Sequence, residues 1–246
     1  MDLQLTDRVA LVTGGAAGIG AAIARGLARE GCAVAIVDRN VPAEPPGDLL
    51  ALGRPARVYR ADVSDFALAG RIVDAVRRDF GRLDVLVCNA GITDDAVTWK
   101  MSEAQWDRVI AVNLKGCFNY CRAVAEVFKD QKHGRIVNIA SINGLRGKFA
   151  QANYAASKGG VIAFSKTLAR ELGKFGVNVN VVAPGMVNTD MARALPPEFV
   201  EAAIEETVLG RLASPEDCAD LVAFLCSERA RHITGEVVQI DGGQYL

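Results

Sequence analysis

Histidine is scarce in this sequence, and its scarcity excludes several common catalytic designs. Only His133 and His232 occur among the 246 residues, too few for a histidine-rich zinc centre. His133 lies beside Gly134, as a loop residue does, so a Ser-His-Asp triad is not predicted either.

Cysteine pairs of the C-x-x-C type are also absent. The cysteines are Cys32, Cys88, Cys117, Cys121, Cys218 and Cys226. Each lies in an apolar segment, which indicates buried thiols that pack as small hydrophobic side chains. Cys117 and Cys121 share a helix face, but no histidine is near them in the sequence, and we therefore expect no metal site.

The chain has no excess of charge of one sign and no long apolar run. Its 28 basic and 29 acidic residues give a formal net charge of -1, so the positive field expected of a nucleic-acid-binding protein is missing. No apolar segment reaches the length of a membrane span, and the N-terminus does not resemble a signal peptide. These absences predict a soluble cytoplasmic protein with neither nucleic acid nor membrane as a partner.

Short apolar runs alternate with helical segments along the whole chain. The first run, residues 8–13, is rich in β-branched residues, as in a strand buried on both faces of a parallel sheet. Similar runs cover residues 33–37, 56–61, 83–88, 134–140, 177–183 and 237–240. The alternation predicts a single domain over residues 1–246, an α/β Rossmann-type doubly wound sheet of seven parallel strands flanked by helices.

A glycine-rich turn joins the first predicted strand to the first predicted helix, residues 19–30. Gly14, Gly18 and Gly20 have the spacing G-x-x-x-G-x-G. Glycines there let the backbone approach a ligand, and the helix N-terminus offers its amides to a pyrophosphate. The turn predicts a dinucleotide site.

Asp38 determines which dinucleotide the sequence predicts. It ends the second predicted strand, where a dinucleotide-binding unit places an acid on the adenosine ribose hydroxyls. A carboxylate ~4 Å from a doubly charged 2′-phosphate is repelled by roughly 2 to 8 kcal/mol at effective dielectric constants from ~80 to ~20. Ala16 and Ala17 leave the loop without a basic residue, so NAD is predicted over NADP. Arg39 keeps NADP open as an alternative, because its guanidinium can partly neutralise a 2′-phosphate.

Tyr154 and Lys158 are the predicted centre of the chemistry. They are four residues apart in a predicted helix, which places an ammonium beside a phenol. Lowering the pKa of a phenol from ~10 to ~7 takes about 4 kcal/mol. A cation ~5 Å away supplies about 3 kcal/mol at an effective dielectric constant of ~20, and an oxidised nicotinamide ring supplies a second positive charge. The pair therefore predicts a general base at neutral pH.

These motifs occur in the order and spacing of a known family. The chain resembles the short-chain dehydrogenases/reductases over essentially its whole length, and most of all their 3-oxoacyl-carrier-protein reductase-like members. The resemblance rests on Thr13 to Gly20, Asn89-Ala90-Gly91, Asn113, Ser141, Tyr154 with Lys158, and Pro184-Gly185. Cys88 is a departure, since it stands where the family more often has an additional asparagine.

The resemblance implies a set of residues that hold the dinucleotide. They are Gly14, Ala17, Gly18, Ile19, Gly20, Asp38, Arg39, Asp62, Val63, Asn89, Ala90, Gly91, Tyr154, Lys158, Pro184, Gly185, Val187 and Thr189. Asp62 and Val63 match the pair that contacts adenine in the family, although Asp62 or Ser64 is equally suited to cap the next helix. Thr189 matches the residue that contacts the carboxamide.

The resemblance also implies catalytic roles. Tyr154 is the acid/base, Lys158 lowers its pKa and holds the nicotinamide ribose, Ser141 binds the substrate oxygen, and Asn113 supports a proton relay. The residues expected to contact the substrate are Ser141, Ile142, Asn143, Phe149, Tyr154 and Met186, under a lid at about 186–212.

The predicted activity is the NAD-dependent interconversion of a secondary alcohol and a ketone, with a small molecule as substrate. One alternative is a 3-oxoacyl-carrier-protein reductase that uses NADPH. A second alternative is a non-catalytic dinucleotide-sensing or scaffold protein, against which the complete catalytic set argues.

The helix that carries Tyr154 also predicts an assembly. Small side chains line its face opposite the catalytic pair, at Ala156, Gly160, Ala163 and Thr167, with Phe164 beside them. A monomer would expose this apolar strip unless the chain's own helix, residues 105–128, covers it. We expect a homo-oligomer, and the family resemblance favours a tetramer.

Overall fold

Seven short apolar segments form one parallel sheet in the computed structural model, which describes residues 2–246. The strands are β1 Val9–Thr13, β2 Ala33–Asp38, β3 Ala56–Arg60, β4 Val85–Cys88, β5 Gly134–Ile139, β6 Val177–Pro184 and β7 Val237–Ile240. Their order is β3-β2-β1-β4-β5-β6-β7. Every neighbouring pair is parallel. The predicted doubly wound Rossmann-type sheet is confirmed.

Helices connect the strands. They are α1 Gly18–Arg29, α2 Gly47–Leu50, α3 Phe66–Phe80, α4 Glu103–Val109, α5 Gly116–Gln131, α6 Asn143–Arg146, α7 Ala152–Leu172, α8 Asp190–Arg193, α9 Pro197–Glu205 and α10 Pro215–Cys226. Short 3₁₀ helices occupy Thr98–Lys100, Gly173–Phe175 and Glu228–Ala230.

The sheet separates two hydrophobic cores. Successive strand residues alternate between them, so that Leu86 belongs to one core and Val87 to the other, and both are fully buried. Helices α3, α5 and α7 contribute to the first core, and α1 and α10 contribute to the second. This burial on both faces explains why β1, β4, β5 and β6 consist largely of apolar residues.

The structure corrects two predictions about the segments between strands. The predicted continuous helix over residues 105–128 is interrupted by a π-helical segment, Ile110–Lys115, that carries Asn113. The cap of α3 is Asp65, whose carboxylate accepts a hydrogen bond from the Leu68 amide at 2.9 Å. The alternative role of Asp62 or Ser64 as that cap is therefore wrong.

Across residues 2–246, none of the helices combines the length and the apolar character that crossing a membrane requires.

Candidate active site

A cleft of about 650 Å³ opens at the carboxyl ends of β1, β4, β5 and β6. The strand order reverses between β1 and β4. Connections on the two sides of that point leave the sheet in opposite directions, which creates a crevice. A smaller cavity of about 140 Å³ adjoins it on the side of β2 and β3.

The glycine loop after β1 forms one wall of the cleft. A Cβ atom on Gly14 would lie 2.8 Å from Ala90 Cα, and one on Gly20 would collide with the Gly14 carbonyl. Only glycine permits this close packing. Ala17 precedes α1 and makes no side-chain capping bond, so the first amides of α1, including those of Gly18 and Ile19, are left for a ligand.

Asp38 lines both the cleft and the smaller cavity. Its carboxylate accepts hydrogen bonds from the Asn40 amide at 3.1 Å and, at 3.4 Å, from the Ala16 amide of the glycine loop. Arg39, Asp62 and Val63 line the smaller cavity with it. Hydrogen bonds from the Ser64 hydroxyl and amide hold the pKa of Asp62 below its usual value.

The Asn89-Ala90-Gly91 loop packs against the glycine loop and also lines the cleft. The Asn89 side-chain amide donates to the Gly14 carbonyl at 2.9 Å and ties this loop to the glycine loop. A Cβ atom on Gly91 would lie 3.3 Å from Lys158 Nζ and 3.4 Å from Asn113 Oδ1. The loop thus sets how closely the lysine approaches the cleft.

Asn113 is buried and does not line the cleft. Its Oδ1 accepts from the Ile92 amide at 2.8 Å, and its Nδ2 donates to the Ile92 carbonyl at 3.0 Å and to Ser157 Oγ at 3.1 Å. The side chain therefore joins the π-helical segment, the Asn89 loop and α7.

Tyr154, Lys158 and Ser141 meet in the cleft. Lys158 Nζ donates to the Ile139 carbonyl at 2.8 Å and lies 5.6 Å from the centre of the Tyr154 ring. Ser141 Oγ accepts from the Asn143 amide at 3.1 Å. Burial lowers the pKa of Lys158 to about 8.

The pKa of Tyr154 differs from the expectation that Lys158 alone nearly brings it to neutrality. Burial raises this pKa, a hydrogen bond with Ser141 lowers it, the Asp95 carboxylate raises it, and the net direction is upward. The Lys158 ammonium donates to the Ile139 carbonyl and does not offset these effects on the phenol. The phenol is therefore a proton donor at neutral pH.

The segment after β6 closes the far side of the cleft. Pro184, Gly185, Val187 and Thr189 line it. The Thr189 hydroxyl accepts from the Ala192 amide at 3.3 Å and caps α8.

Comparison with known proteins assigns this architecture. The model of the family described as "Enoyl-(Acyl carrier protein) reductase" matches residues 14–244. The chain belongs to the short-chain dehydrogenase/reductase family. It is an NAD(P)-dependent oxidoreductase acting on CH-OH groups.

Relatives in this family match over nearly the full length. The chain is 42% identical to a 3-oxoacyl-[acyl-carrier-protein] reductase of Thermotoga maritima, covering 98% of this chain and 99% of the relative. It is 43% identical to an acetoacetyl-CoA reductase of Shinella zoogloeoides, covering 98% and 99% of the two chains. A crystal structure of a short-chain alcohol dehydrogenase from Sinorhizobium meliloti 1021 superposes with a TM-score of 0.94 at 33% identity, covering 99% and 98%.

The cleft fits the dinucleotide of a short-chain dehydrogenase/reductase. Close-packed glycines and uncapped amides lie at one end, and the Tyr154 and Lys158 side chains lie at the other. Most residues expected to hold the cofactor line one of the two cavities. Gly20 does not, because it lies beneath Gly14.

The residues expected around the substrate divide into two groups. Ser141, Ile142, Asn143 and Met186 line the cleft beside Tyr154. Phe149 does not line it and is 81% exposed, because the chain turns outward after Gly147, whose φ is 72°.

Two hydrogen-bond networks in this part of the cleft were not predicted from the sequence. Arg146 donates to Glu206 Oε2 at 3.0 Å and to the Gln244 carbonyl at 3.2 Å, which joins α6 to the segment after α9 and to the C-terminus. Gln151 donates to Asp95 Oδ2 at 2.8 Å. Both networks join residues more than 50 positions apart, and local sequence patterns do not reveal such pairs.

Proposed function

We propose that this short-chain dehydrogenase/reductase interconverts a secondary alcohol and a ketone with NAD as its cofactor. The observation that carries the proposal is the meeting of Ser141, Tyr154 and Lys158 in one cleft that reaches Asp38 at its other end. The bound nicotinamide would supply or accept the hydride.

The side chains handle the proton and the substrate oxygen. In reduction, the carbonyl oxygen accepts hydrogen bonds from the Ser141 hydroxyl and the Tyr154 phenol, and Tyr154 transfers its proton as negative charge develops there. The raised pKa of Tyr154 keeps the phenol protonated at neutral pH, so that it holds the proton to be transferred. In oxidation the proton moves from the alcohol to the phenolate.

Lys158 and Asn113 support this step. Lys158 presents an ammonium toward the nicotinamide ribose while its Nζ stays bonded to the Ile139 carbonyl. Asn113 holds the Ile92 backbone and Ser157, which fixes the loop beside Lys158. The proton relay through Asn113 is proposed on the family resemblance alone. The segment at about 186–212 would close over the substrate as a lid. Seven of its residues line the cleft: Met186, Val187, Thr189, Asp190, Ala192, Leu195 and Phe199.

The choice of NAD rests on Asp38. Its carboxylate lies between the glycine loop and the smaller cavity, where the adenosine ribose of a dinucleotide would be held. A 2′-phosphate would meet this negative charge, and the glycine loop supplies no basic side chain to offset it.

A second candidate is an NADPH-dependent reductase of 3-oxoacyl groups carried by acyl carrier protein. The names of the relatives support it, and the placement of Arg39 beside the smaller cavity supports binding of a 2′-phosphate. The two candidates differ in both cofactor and substrate.

Rates with two substrate classes and two cofactors distinguish the candidates. The purified enzyme is assayed with a carrier-bound 3-oxoacyl thioester and with a panel of small ketones, each with NADH and with NADPH. The first proposal predicts the highest kcat/KM for a small ketone with NADH. A preference for the carrier-bound thioester with NADPH would replace it with the second candidate.

We also propose that the protein is a cytoplasmic homo-oligomer, with a tetramer favoured. The rings of Phe66 and Phe118 are stacked with centroids 6.2 Å apart, and Phe164 contacts Phe118 at 5.9 Å. Phe66 and Phe118 are 53% and 42% exposed. Leu114 covers Gly160, but Ala156, Ala163 and Thr167 on α7 stay exposed. Together these residues form an apolar surface that a second copy would bury.

A further inference from the structure

Three cysteine thiols from two elements converge beneath the cleft. Cys88 ends β4, and Cys117 and Cys121 lie one turn apart in α5. Their Sγ atoms all lie within 4.8 Å of one another, and Cys88 Sγ is 3.9 Å from Cys121 Sγ. All three are buried. Within residues 2–246, no other group of three or more potential metal ligands is this compact.

A fourth donor atom faces the same cluster. Asn138 is fully buried, and its Oδ1 lies 3.6 Å from Cys121 Sγ. Its Nδ2 donates to Ser165 Oγ at 2.9 Å, and Ser165 Oγ in turn donates to the Val161 carbonyl at 2.7 Å. These bonds fix the amide with its oxygen toward the thiols. A thiol S–H, which is a weak donor, is the partner of that oxygen.

Two of the six separations between the four donor atoms match those of a tetrahedral site. Metal–sulfur bonds of ~2.3 Å place two sulfur ligands about 3.8 Å apart, and a metal–oxygen bond of ~2.1 Å places oxygen about 3.6 Å from sulfur. The observed separations are 3.9 Å for Cys88 to Cys121 and 3.6 Å for Cys121 to Asn138.

We propose that Cys88, Cys117 and Cys121, with Asn138 Oδ1, bind one thiophilic divalent d¹⁰ cation of the Zn²⁺ or Cd²⁺ class. Three thiolates select soft ions over Mg²⁺ or Ca²⁺, which prefer oxygen ligands. The dication replaces three thiol protons, so the occupied site carries one net negative charge and three protons are released.

The sequence pattern does not reveal this site because two of its four donors lie outside α5, Cys88 on β4 and Asn138 on β5. Cys117 and Cys121 alone offer two thiols, and neither histidine of the chain is among their partners. The parallel pairing of β4 with β5 places Cys88 directly beside Asn138. The fold thus completes a donor set that local sequence does not contain.

A titration with Cd²⁺ tests the proposal in the full-length, reduced, metal-free protein. The expected result is a sulfur-to-cadmium charge-transfer absorption that saturates at one equivalent, with competition by Zn²⁺. Long incubation allows for the burial of the thiols. Cys88→Ala and Cys117→Ala should each lose most of this absorption. The matched control is Cys218→Ala, which removes a buried thiol outside the cluster and should leave the titration unchanged.

A second measurement needs no variant and covers the case in which the cysteine variants fail to fold. The ¹¹³Cd NMR shift of the loaded wild-type protein reports the number of sulfur ligands, and a value typical of three sulfurs is expected. A shift typical of oxygen ligands would overturn the proposal. So would the absence of stoichiometric binding both after incubation and after refolding with Cd²⁺, or an unchanged titration in folded Cys88→Ala.

Discussion

The ammonium of Lys158 is anchored to the backbone that leads to Ser141. Lys158 Nζ donates a 2.8 Å hydrogen bond to the carbonyl of Ile139, the last residue of β5, and Ser141 follows two residues later. This bond helps to fix the distance between α7, which carries Tyr154, and the strand end that leads to the serine. The same bond holds a cation in a buried position, where it is costly.

The first prediction concerns the stability cost of that buried cation. The pKa of Lys158 falls from 10.5 in the unfolded chain to about 8 in the native protein, so between these pH values the unfolded state binds more protons and stability rises with pH. Below pH 8 wild type carries the full cost, on the order of 3 kcal/mol. Lys158→Met should therefore be more stable than wild type at pH 7, with the advantage lost near pH 10.5.

Urea denaturation at several pH values measures this difference. Lys166→Met, which removes an exposed lysine from the same helix, should show no such trend. A difference in the free energy of unfolding between Lys158→Met and wild type that stays constant with pH would contradict the prediction. It would mean that burial of the ammonium has no cost in the native protein.

The second prediction concerns Gly91. An added methyl group would lie 3.3 Å from Lys158 Nζ and 3.4 Å from Asn113 Oδ1. Gly91→Ala should therefore displace the lysine side chain. Because catalysis is sensitive to small misplacements, we expect kcat/KM to fall by about 10-fold or more. Steady-state kinetics measures the loss. The control is Gly70→Ala in α3, where an added methyl group meets nothing within 4 Å. Wild-type kinetics in Gly91→Ala would contradict the prediction.

The third prediction concerns cofactor choice. Asp38→Asn removes the negative charge while keeping a group that can accept a hydrogen bond, so the ratio of kcat/KM for NADH over NADPH should fall by at least 10-fold. Asp48→Asn is the control, because Asp48 is a surface acid that pairs with Arg25. If the wild-type enzyme already prefers NADPH, the prediction is wrong, and Arg39 rather than Asp38 determines the choice of cofactor.

The fourth prediction concerns assembly. Phe118 contacts both Phe66 and Phe164 in the exposed aromatic cluster, so Phe118→Asp should place a charge in the proposed interface and reduce the mass measured by light scattering. Leu50→Asp, at an exposed position in α2, should keep the wild-type mass. A monomeric and fully active wild type at micromolar concentration would exclude the proposed oligomer.

Much of the fold could be predicted from the sequence because buried parallel strands leave a strong local signal. The run at residues 33–37 and the acid after it correspond to β2, Ala33–Asp38. Glycine also marks a helix end in the sequence: α3 ends at Gly81, whose φ of 79° favours glycine. These features depend on neighbouring residues alone.

The interruption of the helix around Asn113 was not predictable in this way. Periodicity predicted one continuous helix, but the Asn113 side chain bonds both backbone groups of Ile92, 21 residues earlier. The cleft shows the same limit. Ser141 and Tyr154 could be placed from motifs, whereas the Arg146–Glu206 and Gln151–Asp95 pairs and the Cys88–Asn138 neighbourhood depend on how distant segments pack.

The central claim is that the Tyr154 phenol transfers the proton while other groups bind the cofactor. Tyr154→Phe keeps the ring and removes only the hydroxyl, so Lys158 and the glycine loop should still bind the dinucleotide. We expect the dissociation constant for NADH, measured by fluorescence, to stay within about 3-fold of wild type, since little binding energy is lost. Single-turnover hydride transfer should slow by about 10²-fold to 10⁴-fold, as expected for the loss of a general acid.

That pair of measurements on one variant tests the account most directly. Slow hydride transfer with intact NADH binding is the predicted result. Hydride transfer within 10-fold of wild type at saturating NADH would contradict the account, because it would mean that another group supplies the proton.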